Sequence, residues 1–213
     1  MQAWKELGAT QTLLKAISTG VKAPLTKAPV VQSPQVRNEE KLHDTIGEYL
    51  QSQAIRLLKP HEVSTTQTWT PIFGVEKRDS TKVRIITDLR ILNKCCQTAH
   101  HKPETWKTVL KLLQDPLLTW ATKLDLQNWY HNLGVHNKTA RWMRFQHCNV
   151  GYQIQAMPFG WNLSSLWSHL MSQPIKAKLH QMGIQLAWFV DDILILGTSA
   201  EDVVTKRLRQ SIS

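Results

Sequence analysis

The stretch Trp188-Phe-Val-Asp-Asp-Ile-Leu-Ile-Leu196 sets two adjacent carboxylates inside an otherwise unbroken apolar run. The apolar segments on either side are short and rich in β-branched and aromatic residues, so they read as two strands joined by an acidic tip. Hairpin tips usually carry Gly or Asn, because tight turns demand positive φ. Asp tolerates that region better than most residues, so on this motif alone a structural turn is the plainer reading. Two features weigh against it. The flanking strands do not alternate in polarity, so both of their faces can be buried, and no Lys or Arg lies between Trp188 and Leu196 to neutralise the pair. Buried carboxylates are costly unless paired, hydrogen-bonded or bound to metal. A divalent cation with oxygen ligands is the remaining way to hold Asp191 and Asp192 together.

Three further elements acquire meaning beside this pair. Asp125 ends the apolar strand LLTWATKL and precedes LQNWYHNL. Alone it reads as a helix cap. If its strand lay beside the hairpin, it would be a third carboxylate, and three can hold two Mg²⁺ ions across an in-line phosphoryl displacement. Lys77, Arg78, Lys82 and Arg84 lie on and beside the polar turn EKRDST. In isolation they are a solvated charged turn. In function they would be a cationic arm able to clamp a triphosphate, the arginine bidentately. Met157-Pro-Phe-Gly-Trp161 is a turn before a helix. Its functional version sets the backbone, Phe159 and Trp161 against a nucleotide base, where stacking stabilises any base.

The rest of the chain supplies a frame. Residues 2–18 read as a short helix. Residues 20–35, with Pro24, Pro29 and Pro34, read as an extended linker. Asn38 offers an N-cap, and Leu42, Ile46, Tyr49, Leu50, Ala54, Leu57 and Leu58 recur at helical spacing until Pro60, which predicts one helix over 38–58. Residues 69–91 predict a β-hairpin, 103–114 a helix, 117–124 a buried strand, LQNWYHNL a short helix and 141–157 a second hairpin. From Asn162 to Met182 the spacing predicts a helix with Leu163, Leu166, Trp167, Leu170, Met171, Ile175, Leu179 and Met182 on one stripe. Ser164, Ser165, Ser168, Ser172, Lys176 and Gln181 fall off that stripe. Pro174 predicts a kink, and Gly183 a stop. A last helix is expected over 199–210. Strands mixed with helices predict an α+β or α/β core.

Composition narrows the partners. The 213 residues carry a net charge of +10, which points to an anionic partner, most commonly nucleic acid, although a basic balance also serves solubility. Most of the nine tryptophans are expected in the core, and some could stack on bases. Three cysteines, two of them adjacent (Cys95, Cys96) and one at 148, with no CxxC spacing, predict a reducing compartment without a zinc site. No signal peptide or run of transmembrane length is visible. The expectation is an intracellular protein, nucleus and cytoplasm not distinguished, with no membrane partner.

The order of these motifs is more specific than any one of them. VEKRDSTKVRIITDLRILNK, KLDLQNWYH, MPFGW and FVDD, taken in sequence over roughly residues 60–205, resemble the reverse transcriptase family of RNA-directed DNA polymerases. More narrowly, AWKELGA, RWMRF and GIQLAWFVDDILILG resemble the tyrosine-recombinase (DIRS-like) class of retrotransposons. The resemblance implies an α+β right-hand polymerase with an antiparallel palm sheet packed on helices. The implied layout is an N-terminal helix and linker over 1–37, a fingers-like region over 38–115 and a palm over 116–213. Asp125 and Asp191 would be ligands of two Mg²⁺ ions, Mn²⁺ being an alternative, with Asp192 the third carboxylate and Leu126 lending a backbone carbonyl. Lys77 and Arg84 match the triphosphate positions, Tyr130 the gate beneath the sugar, and Phe159 and Gly160 the loop over the incoming nucleotide. Trp161, Val190 and Arg78 would lie toward template and primer. The partners implied are an RNA or DNA template with its primer and a deoxynucleoside triphosphate.

The sequence departs from the family pattern in three places. Trp129 stands where a small residue is usual and could crowd the nucleotide. LSSLWSHL replaces the usual continuation after the PFG loop. The chain is expected to stop before the thumb, as a fragment of a longer polyprotein or a decayed copy. The competing reading is therefore a catalytically inert remnant that binds nucleic acid through its basic surface. A DDE-type transposase or nuclease fits less well, since its acids lie on separate elements.

Overall fold

The computed structural model describes residues 1–34, 36–37, 39–76, 83–97 and 104–210. It opens with α1 (Gln2–Glu6) and α2 (Gln11–Thr19), two helices where the sequence predicted one, because Gly8 breaks the run at φ +77°. The proline-bearing segment that follows is pinned rather than free. Val21, Leu25 and Gln32 form isolated bridges to Val135, Cys96 and Thr68, and Val21 and Ala23 are buried.

Strand β1 (Val36–Arg37) leads to a 3₁₀ turn at Glu39–Leu42 and then α3 (His43–Gln51). Here the single helix expected over 38–58 fails. Gln53 sits at φ +57°, and β2 (Ile55–Leu57) follows, paired antiparallel with residues 152–154. The apolar residues at 54–58 fit both periods, and cross-strand pairing decides for the strand. Pro60, expected to stop a helix, instead starts α4 (Pro60–Ser64) at a position where its missing N–H costs nothing.

The predicted hairpin is β3 (Ile72–Glu76) paired antiparallel with β4 (Val83–Thr87), and α5 (Arg90–Cys95) follows. Further along come α6 (Trp106–Leu113), β5 (Trp120–Asp125) and a 3₁₀ turn over Trp129–Asn132, each at an expected place, but β5 is an edge strand exposed at Trp120, Ala121, Lys123 and Asp125, where the sequence predicted a buried one. The short α7 (Asn137–Ala140) precedes the second hairpin, β6 (Arg144–His147) with β7 (Val150–Ile154). Its two-residue turn takes Cys148 and Asn149 to positive φ. Then follow α8 (Asn162–Gln181), β8 (Gln185–Phe189), β9 (Asp192–Gly197) and α9 (Ala200–Gln210). Gly183 lies just past α8 at φ +77°.

The chain divides into two compact units that interleave along the sequence. One comprises residues 14–99 and 130–164 and holds two antiparallel-rich sheets, ordered β1-β3-β4 and β2-β7-β6. Ile72, Ile85, Phe145 and Ile154 are among its buried residues. The other comprises residues 1–13, 100–129 and 165–213 and holds the antiparallel sheet β5-β9-β8. Leu186, Trp188, Ile193 and Ile195 pack there with Leu179 and Ile184, with Leu124, Leu126, Trp129 and Ile175 at the margin. Helix α9 packs on β5 and β9, and α6 on β8. Antiparallel sheets with segregated helices make the fold α+β, as expected.

The face of α8 differs from the predicted stripe. Ser164, Ser168 and Ser172 are buried, while Met182 is exposed. Hydroxyls that find partners can be buried, and small residues let a neighbour approach closely. Ser168 Oγ accepts from the Trp129 indole N–H at 2.7 Å, and Ser172 Oγ donates to the His169 carbonyl at 2.9 Å.

Candidate active site

Asp125 and Asp192 stand on the β5-β9-β8 sheet, and Asp191 lies in the turn that enters β9. Asp125 is the last residue of β5 and Asp192 the first of β9, and they stand directly opposite one another in the antiparallel register. Opposed side chains in such a pair lie on the same face of the sheet. Phe189 pairs with Asp192, so Val190 and Asp191 alone make the turn. Two bonds fix it. The Leu126 N–H donates to the Asp191 carbonyl at 2.8 Å, tying the turn to the residue after Asp125, and the Trp188 indole donates to the Val190 carbonyl at 2.9 Å.

The turn corrects two expectations. The positive φ falls on Val190, at +57°, and not on an aspartate. A β-branched residue there is a genuine outlier, of the kind that collects at functional sites. The acids are also not buried: the Asp192 side chain is 44% exposed. Nor is the neutralising cation missing; it comes from the neighbouring strand. Lys123 Nζ lies 2.8 Å from Asp192 Oδ1, and Asp192, followed by Asp125 and Asp191, raises the lysine's pKa. Lys123 lies opposite Leu194, one diagonal step from Asp192. Its place two residues before Asp125 points to Asp192 only once the register that sets Asp125 opposite Asp192 is known.

The edge strand β8 is also secured. Glu104 Oε2 accepts from the Trp188 N–H at 2.9 Å, and Glu104 Oε1 pairs with Lys176 of α8. Both side chains are largely buried, and burial pushes the Lys176 ammonium's pKa down. Trp129, expected to crowd a nucleotide, packs against Trp188 at 5.4 Å between ring centroids and hydrogen-bonds to Ser168.

The other unit gathers a second group. The Arg84 guanidinium lies over the Phe159 ring, 4.6 Å from its centroid, and the Tyr130 ring meets Phe159 edge-on at 5.0 Å. The Phe159 carbonyl accepts from Thr87 Oγ1 at 2.5 Å. Gly160 sits at φ +97°, where an added Cβ would lie 2.2 Å from the Thr87 carbonyl oxygen, so only glycine fits. Asn93 holds the loop from beneath: its Nδ2 donates to the Gly160 carbonyl and its Oδ1 accepts from the Asn162 N–H. Thr87 and Asn93 carried no sequence signal of their own. Trp161 is 3% exposed, so its ring is core beneath the loop and presents no face for stacking. Lys77, Arg78 and Lys82 lie outside the described residues.

The donor set at the first group suits a hard divalent cation, being three carboxylates and a nearby main-chain carbonyl with no sulfur or imidazole. Among the described residues, no three His, Cys, Asp or Glu side chains are drawn together closely enough to hold an ion as they stand. The carboxylates are adjacent in backbone position, and one of them is engaged by Lys123. Among the described residues, no helix is long and apolar enough to cross a membrane.

Comparison with known proteins gives this geometry a context. The chain is 25% identical over 197 residues to the Gag-Pol polyprotein of Walleye dermal sarcoma virus, covering 91% of this chain and 11% of the polyprotein. Its fold resembles a foamy viral protease-reverse transcriptase solved in complex with double-stranded DNA, with a TM-score of 0.68 at 18% identity over 91% of this chain and 33% of that one. A prototype foamy virus protease-reverse transcriptase mutant gives a TM-score of 0.67 at 18% identity, over 86% and 24%. The chain thus spans a third or less of each relative, and the α+β fold is that of reverse transcriptase fingers and palm. The model of the reverse transcriptase (RNA-dependent DNA polymerase) family matches residues 75–213, well over half of the sequence, and the chain belongs to that family of nucleotidyltransferases.

Proposed function

We propose that the chain carries the polymerase centre of an RNA-directed DNA polymerase, adding deoxynucleotides to a primer 3′-hydroxyl on an RNA or DNA template. The observation that supports this most is the register pair Asp125–Asp192, with Asp191 tied alongside by its carbonyl. Asp125 and Asp191 would hold the cations, with Asp192 as the third carboxylate and the Leu126 carbonyl as an added oxygen ligand. When bound, two Mg²⁺ ions, or Mn²⁺ in their place, supply charge neutralisation at the attacking and leaving oxygens of an in-line displacement.

The chain's own residues would do the positioning. Arg84, held over the Phe159 ring, would offer its guanidinium to a triphosphate, with Lys77 as its companion. Tyr130, braced against Phe159, closes the space beneath the sugar and excludes a 2′-hydroxyl by contact. Phe159 and Gly160 form the loop over the nucleotide, and Trp161 supports it from the core. Val190 and Arg78 would face primer and template. In this reading the functional boundaries are a fingers-like region over 38–115 and a palm over 116–213, the protein acts inside the cell, and its source is a retroelement of the tyrosine-recombinase (DIRS-like) class.

The test is primer extension on an RNA template with Mg²⁺ or Mn²⁺, comparing wild type with Asp191→Ala. Metal-dependent extension by wild type that is lost in the variant supports the reading. Equal incorporation by both, or salt-dependent nucleic-acid binding without synthesis, favours the inert remnant.

A further inference from the structure

We infer that a basic groove, built from the proline-bearing segment and α7, binds single-stranded nucleic acid independently of the carboxylate centre. The groove has a volume of about 800 Å³. Lys22 and Lys27 of the proline-bearing segment, Lys138 of α7, and Arg141 and Trp142 just after it all line the groove. Among the described residues, no acidic side chain lines it. All four cations are exposed, and none has a carboxylate partner among the described residues. Four unneutralised cations around one concavity repel one another, and a polyanion relieves that repulsion.

The walls are preorganised by the main chain. The Val21 N–H donates to the Gly134 carbonyl at 2.8 Å, and the Val21 carbonyl accepts from the His136 N–H at 2.9 Å. The Ala23 N–H donates to Thr139 Oγ1 at 2.8 Å, and the Pro24 carbonyl accepts from the Gln97 N–H at 2.9 Å. These bonds hold the Lys22–Lys27 backbone in place before any ligand arrives, so the ordering cost left for binding is that of the side chains.

An aromatic within the cationic lining favours nucleic acid over an acidic peptide. The Arg141 guanidinium lies over the half-buried Trp142 ring, 4.7 Å from its centroid. A flat cation held on an indole can take a base on its outer face while its edge donors reach a phosphate. The volume exceeds the need of one phosphate and suits a short run of nucleotides. A single strand is the better occupant than a duplex, because its bases are open to stacking.

The test uses the full chain in EDTA, so binding is read without metal-dependent chemistry and its failure is distinct from failure of the polymerase reading. A short labelled single-stranded RNA is titrated by fluorescence anisotropy across a salt series. The variant Lys22→Glu/Lys27→Glu/Lys138→Glu/Arg141→Glu should lose at least tenfold in affinity and up to about 3 in the log–log salt slope, at about 0.7 per phosphate contact. A control reversing Lys5, Lys15, Lys107 and Lys178, exposed lysines outside the groove, should change much less. Trp142→Phe should retain most of the affinity that Trp142→Ala loses. A second measurement needs no variant: acetylation mapped by mass spectrometry should show Lys22, Lys27 and Lys138 protected by the RNA, with Lys5 and Lys15 labelled as before. Equal losses in the groove and control variants, or uniform labelling with and without RNA, would overturn the proposal. Equally tight binding of a poly-glutamate peptide in the same groove would overturn the assignment to nucleic acid.

Discussion

Asp125 and Asp192 face each other across β5 and β9, and the charge between them is shared with Lys123, whose Nζ lies 2.8 Å from Asp192 Oδ1. Like charges directly opposed on a sheet are destabilising. The lysine relieves that repulsion and competes for the same carboxylate that a divalent cation would use. A lysine is charged throughout the neutral range, and the neighbouring carboxylates only raise its pKa further, so the competition persists there.

Lys123→Met should therefore tighten divalent-cation binding. An exposed, solvent-screened pair of this kind is weak, which limits the gain to no more than about fivefold. Mn²⁺ titration followed by electron paramagnetic resonance reads it directly. Unchanged or weaker Mn²⁺ binding would show that the lysine does not compete for the site.

Val190 occupies the left-handed region at φ +57° in the two-residue turn. Asn tolerates that region far better than Val. Val190→Asn should raise stability by about 1 kcal/mol, the lower end of what such backbone strain costs. Chemical denaturation checks it, and a fall in the midpoint would mean that the valine side chain contributes more than the strain removes.

Glu104 carries two tasks, accepting from the Trp188 N–H on the edge strand and pairing with Lys176. Glu104→Leu should cost about 3 kcal/mol, because it strands a largely buried ammonium. Glu104→Leu/Lys176→Met should recover most of that loss. A double variant as unstable as the single would place the cost in the Trp188 bond instead.

These residues also mark what could be read along the chain. The acidic hairpin, the strand ending at Asp125 and the β3–β4 hairpin were legible because each is a local pattern with its own period and stop signal. The segment 52–58 was not, since Ala54, Ile55, Leu57 and Leu58 suit a helix or a strand and only pairing with β7 decides. The serine row of α8 was misread because burial of a hydroxyl depends on its partner, and Ser168 meets an indole from 39 residues away. Lys123 was missed for a related reason: pairing across a sheet follows register, which no single strand encodes.

The central claim is that Asp125 and Asp191 serve one reaction centre. The most direct measurement is single-nucleotide incorporation on a primed RNA template by wild type, Asp125→Asn, Asp191→Asn and the double variant. Each single change should slow incorporation on the order of a thousandfold, as expected for losing several kcal/mol of charge stabilisation. The double variant should be no slower than the worse single, because residues acting as one unit are strongly non-additive. Losses that simply multiply, or incorporation that survives either single change, would contradict the account.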